Sequence, residues 1–160
     1  MKKEEEKILV GWREWASLPE LGIPAIKMKV DTGARTSALH AFSIETFEES
    51  GKKRVRFAIH PLQKRRDIEI YCVADMIDER IVSDSGGHRE KRIVIKTPIC
   101  IGDMKWDVEF TLTDRDTMRF RALLGRTAME DMLVVDPDKS YLTGKSIKEN
   151  YIKDLKRRKQ

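Results

Sequence analysis

Val30-Asp31-Thr32-Gly33-Ala34-Arg35-Thr36-Ser37-Ala38-Leu39-His40-Ala41 decides how this chain is read. The apolar run Ile26 to Val30 ahead of it has the composition of a strand and delivers one carboxylate to a tight turn. Thr32 can hydrogen-bond the backbone there, and Gly33 lets another group approach closely. The carboxylate is therefore held at a strand end. An Asp-x-Gly turn alone is common, so its context has to carry the argument.

That context lies near the other end. Phe120-Arg121-Ala122-Leu123-Leu124-Gly125-Arg126 reads as a short apolar strand stopping at a glycine, with a brief helical pattern after it through Met132. Asp-Thr-Gly-Ala after a strand and Leu-Leu-Gly-Arg before a short helix together resemble the retropepsin group of aspartic peptidases. The longer phrase Lys29 to Ala41 is similar to a bacterial RimB-like family, historically labelled ATP-dependent zinc protease and associated with the ATP-grasp glutamate ligase RimK. The similarity runs from Val10 to Asp136, with Thr113-Asp114-Arg115, Leu124-Gly125-Arg126 and Val134-Val135-Asp136 as further matching phrases. The resemblance implies an all-β, retropepsin-like (acid protease) closed β-barrel with one short C-terminal helix.

At 160 residues the chain suits one domain with a real core. We expect a charged leader over 1–7, the domain over 8–138 and a basic tail over 139–160. No apolar run approaches the roughly 20 residues that cross a bilayer, and no hydrophobic signal segment follows the leader. A cytoplasmic protein with no membrane partner is expected. Cys72 and Cys100 each lie among β-type residues and read as reduced core thiols. The formal charge is +5, and the stretch from Lys145 to Gln160 carries that whole excess.

In chain order, Ile8 to Trp15 reads as a first strand, paired as a hairpin with the strand that leads to Asp31 across the breaker Leu18 to Pro24. Ser37 to Phe42 reads as a short strand or bend, Ile44 to Glu48 as another, and Arg54 to Val73 as a hairpin of alternating residues. Its connection carries Lys64-Arg65-Arg66, either a solvated loop with edge-protecting charge or a patch for an acidic partner. Two β-like segments flank Asp84-Ser85-Gly86-Gly87, whose glycines give the backbone freedom that a flap or an ordinary hairpin tip would use. A last hairpin turns at Gly102-Asp103, and Pro137-Asp138 ends regular structure. The tail from Tyr141 reads as a short amphipathic helix or a solvated end.

An aspartic peptidase needs two neighbouring carboxylates that share a proton. The chain has one Asp-Thr-Gly and no internal repeat. A C2 homodimer in which each copy contributes Asp31 solves this directly. From the resemblance, the catalytic turn is Asp31, Thr32 and Gly33, with Thr32 bracing the paired loops and Gly33 making room for substrate. Ala34, Arg35, Ser85, Gly86, Gly87 and Arg126 are substrate-binding candidates, and Ser37 and His40 are secondary ones.

Arg35 departs from the viral pattern, which has an acidic residue there that pairs with the counterpart of Arg126. Here it either binds an acidic side chain of the substrate or pairs structurally with Asp84, Asp114 or Asp116. The three histidines are scattered, and neither Cys-x-x-Cys nor His-Glu-x-x-His occurs, so no metal or other cofactor is expected; zinc comes from the family label alone. No phosphate-binding glycine loop is present. The reading is an aspartic-type hydrolase of peptide or glutamyl-type amide bonds, acting on peptides or glutamate-tailed proteins and linked in function to a glutamate ligase. The alternative is a noncatalytic module binding acidic peptide or RNA, with nucleic acid disfavoured because no aromatics interleave with the basic runs.

Overall fold

The computed structural model describes residues 7–62, 66–83, 86–114 and 119–144. Ser85, Asp84, Asp116, Lys64, Arg65, the tail from 145 and most of the leader, on which expectations above fall, lie outside them.

Ile26, Met28 and Val30 are buried while Lys27 and Lys29 face outward, so the strand before Asp31 gives one face to a core. This is β3 (Ile23–Val30). It pairs antiparallel with β2 (Arg13–Leu18) and parallel with β11 (Ala122–Leu124). β4 (Ser37–His40) is buried along its length because β11 and β10 (Met104–Thr113) flank it. β10 pairs in turn with the long β9 (Arg89–Ile101), which meets β2 at Cys100 opposite Ser17. Six strands thereby close into a ring in the order β10, β4, β11, β3, β2, β9. β8 (Asp78–Ser83) extends it as an edge strand on β9. The fold is all-β and retropepsin-like, with one short α-helix among the described residues, α1 (Arg126–Met129). No helix among the described residues is long and apolar enough to cross a membrane.

The expected hairpin of alternating residues is present as β6 (Lys52–Ile59) and β7 (Ile70–Asp75), joined by β5 (Phe42–Glu49) into a three-stranded sheet. Its inner face sends Val55, Phe57, Ile59 and Cys72 into the same core as Phe110, Ile95 and Leu124. Burying side chains of that size contributes roughly 1.5–3 kcal/mol each.

The first strand is not continuous. β1 (Ile8–Val10) stops at Gly11 and pairs in parallel with β12 (Leu133–Val135), while β2 starts afresh at Arg13. The break has a local cause. A Cβ on Gly11 would lie 2.2 Å from the Lys139 carbonyl oxygen, and the Gly11 N–H donates to the buried Glu14 carboxylate at 2.7 Å. Glu14 also accepts from the N–H groups of Leu142 and Thr143 and from the Thr143 hydroxyl. Residues 139–144 are thus strapped across the start of β2.

Candidate active site

The parallel register of β3 and β11 sets Val30 level with Leu124, so the turns that follow them, at Asp31 and Gly125, leave the sheet side by side. They are then laced together. Asp31 N–H donates to the Leu124 carbonyl at 2.9 Å, Arg126 N–H to the Ala34 carbonyl at 2.7 Å, and Thr127 N–H to the Arg35 carbonyl at 3.1 Å. The Thr127 hydroxyl donates to the same Arg35 oxygen at 2.9 Å. Gly125 is required at the crossing, since a Cβ there would fall 2.5 Å from the carbonyl carbon and oxygen of Thr36.

Within its own turn the half-buried Asp31 is held by its Oδ1, which accepts from the N–H of Gly33 at 2.9 Å and of Ala34 at 3.2 Å. A Cβ on Gly33 would stand 3.2 Å from that oxygen, tighter than most side-chain contacts, so the triplet needs its glycine. The carboxylate is oriented before any ligand arrives.

The expected site residues separate into three groups. Asp31, Thr32, Gly33, Ala34, Arg35, Ser37 and Arg126 share the interlocked turns. Ser37 is buried and accepts the Gly125 N–H on its hydroxyl at 2.9 Å, while its carbonyl accepts the Thr111 hydroxyl. Arg126 Nη1 donates to the Thr32 carbonyl at 3.2 Å. Arg35 is exposed and, among the described residues, forms no ion pair; Asp114 is not its partner, and Asp84 and Asp116 lie outside the described set. His40 sits apart, buried near the far end of β4, with its N–H on the Arg121 carbonyl. Gly86 and Gly87 are exposed in the connection between β8 and β9, and Gly87 has φ +83°, a conformation suited to glycine. At the root of that hairpin Arg80 bridges Asp78 at 2.7 Å and Glu109 at 2.8 Å, and the salt bridge holds the Asp78 carboxyl below its usual range.

Two participants escaped the sequence reading. Thr127 is one. Trp12 is the other: its carbonyl accepts the N–H of Val30, one residue before Asp31, at 2.8 Å. Thr127 donates its N–H and its hydroxyl to a backbone oxygen and Trp12 accepts on its own, and no residue pattern advertises either contact. Among the described residues, no group of three or more His, Cys, Asp or Glu side chains could hold a metal ion. His60 stacks on Phe42 at 4.5 Å instead.

A ring of β-strands whose Asp-Thr-Gly turn is interlocked with a Leu-Gly-Arg turn and a short helix is a retropepsin-like arrangement. The chain belongs to the RimB-like family, described as the retropepsin-like aspartic endopeptidase RimB, whose model matches residues 9–146. It is 46% identical over 150 residues to a protein of Desulfotalea psychrophila named "probable alpha-L-glutamate ligase", covering 94% of this chain and 32% of that one. A Shewanella pealeana protein of the same name is 45% identical over 140 residues, covering 88% of this chain and 31% of its own length. This chain therefore spans about a third of the curated relatives it matches. A crystal structure of a Legionella pneumophila protein of unknown function superposes with a TM-score of 0.72 at 26% identity, over 86% of this chain and 98% of that one.

Proposed function

We propose that this chain is an aspartic hydrolase of peptide or glutamyl-type amide bonds, active as a C2 homodimer in which the Asp31 side chains of two copies form the dyad. The observation that carries this is the Asp31 turn: one carboxylate, fixed at a strand end by two backbone N–H groups, on a chain with a single Asp-Thr-Gly. One such carboxylate is half of a catalyst. Two of them, brought close, hold one proton between them because both cannot easily ionise.

In the dimer the ionised carboxylate takes a proton from a bound water as the water oxygen attacks the amide carbon. The protonated partner gives its proton to the carbonyl oxygen. The tetrahedral intermediate collapses by breaking the carbon–nitrogen bond, with a proton returned to the leaving amine. This scheme needs no metal or other cofactor. Arg126 and Thr127 keep the turn in place, and the exposed Arg35 guanidinium offers a partner for a substrate carboxylate. The connection around Gly86 and Gly87 would cover the bound chain.

The relatives' name points to glutamate as the substrate unit. We assign the ligase chemistry to the two thirds of those relatives beyond the match, and to this chain the removal of glutamate residues that such an ATP-grasp ligase adds. Cleavage of poly-glutamate-bearing and ordinary peptides by wild type and Asp31→Asn, with the oligomeric mass measured in parallel, tests the reading. Loss of cleavage in Asp31→Asn with a dimeric wild type supports it. Equal cleavage removes Asp31 from the mechanism, and a strict monomer that binds without cleaving leaves a peptide-holding module.

A further inference from the structure

The outward face of β2 and β3 carries a row of cations that leads to Asp31. Side chains alternate along β3, so Lys27 and Lys29 share the solvent face that the next step of the alternation brings to Asp31. Across the strand pair Arg13 stands directly opposite Lys29, and Trp15 opposite Lys27. Like charges facing each other across a ladder are destabilising. Among the described residues neither Arg13 nor Lys29 is in an ion pair, so no carboxylate relieves the opposition.

The row is stiffened from beside. The Arg13 guanidinium lies 4.6 Å from the centre of the Trp12 ring and 5.0 Å from that of Tyr141, and its Nε donates to the Ser140 hydroxyl at 3.1 Å. Lys27 Nζ is 5.5 Å from the Trp15 ring and 5.7 Å from Tyr141, whose rings stack on each other. Aromatic faces hold the two cations in place. Trp12, Trp15 and Tyr141 come together with Arg13 and Lys27, which belong to neither of the basic runs of the sequence, only through the strand pairing and the strap of residues 139–144. Because the ring faces already lie against cations and one another, they are poorly placed to stack nucleobases, and carboxylates are the better match for the row.

We infer that Lys29, Arg13 and Lys27 form a binding track for an acidic polypeptide running away from Asp31 along β2 and β3. This rests on the reading above that glutamate-rich chains are the substrate, and it adds where the part of the chain beyond the scissile bond is held. Rigid cations in a row select for repeated carboxylates over a single one.

The test is a titration of labelled poly-L-glutamate into the full chain carrying Asp31→Asn, so that hydrolysis plays no part. Lys29→Glu is expected to weaken binding about tenfold and Lys29→Gln by a smaller factor, with Lys105→Glu, the same charge change elsewhere on the surface, leaving affinity unchanged. Lys29→Glu also replaces a repulsion opposite Arg13 with an attraction, so its melting temperature should rise by about 2 °C. Unchanged affinity in Lys29→Glu, or an equal loss in Lys105→Glu, overturns the track. Tighter binding of poly-uridylate than of poly-glutamate, lost in the same variants, would make the face a nucleic-acid site instead. Persistent hydrolysis by Asp31→Asn would defeat the catalytic proposal and leave the binding result standing on its own.

Discussion

Arg126 Nη1 donates to the carbonyl oxygen of Thr32 at 3.2 Å, so the first residue of α1 holds the middle of the turn that carries Asp31. The same residue's N–H bonds Ala34. One arginine therefore ties the turn at two points, once through its backbone and once through its guanidinium. Only the second is lost on substitution.

Arg126→Ala should accordingly lower kcat about tenfold, because small misplacements of a reacting group carry large rate costs. The side chain is exposed, so the stability change should stay below about 1 kcal/mol. Parallel kinetics and thermal melting check this; unchanged kcat would remove Arg126 from the support of the turn.

Gly125→Ala should be severe. Its Cβ would collide with the backbone of Thr36, and backbone cannot swing aside as a long side chain can. A loss of about 3 kcal/mol is expected, read as a lowered urea midpoint. A variant as stable as wild type would mean that the two turns are not locked as described.

Glu14→Ala tests the strap. The buried carboxylate accepts from Gly11, Leu142 and Thr143, and its removal leaves three backbone N–H groups and one hydroxyl without it. A loss of about 3 kcal/mol or more is expected, with hydrogen exchange at Leu142 and Thr143 accelerated. Unchanged protection there would contradict the clamp.

Burial pushes the Cys72 thiol up to about 12 from an ordinary value of 9.0. The folded thiol keeps its proton where the unfolded one has lost it. Its contribution is complete below about pH 9 and is lost progressively as pH rises from there through about 12. Wild type should therefore lose stability faster over that range than Cys72→Ala, by up to about 1.4 kcal/mol per pH unit. Matching slopes would contradict it. In the native state, thiol reagents at neutral pH should modify the half-buried Cys100 and leave Cys72 untouched.

The strands around the site were legible because their signals are local. Lys27 and Lys29 alternate with Met28 and Val30, and Gly102-Asp103 marks the turn between β9 and β10. The turn phrases at Asp31 and Gly125 could be recognised as well, since glycine is forced where backbones cross. What could not be read depends on partners far along the chain. The break at Gly11 comes from the Lys139 carbonyl, the brace on Ser37 from the Gly125 N–H, and the gathering of Arg13, Trp15, Lys27 and Tyr141 from register and the strap. None of these has a periodicity that composition or spacing could expose.

Mixing wild type with Asp31→Asn bears most directly on the shared dyad. If each catalytic unit takes one Asp31 from each of two freely exchanging copies, mixed pairs are inactive, and activity should fall with the square of the wild-type fraction. A fall in simple proportion to that fraction, or cleavage by Asp31→Asn alone, would contradict the account.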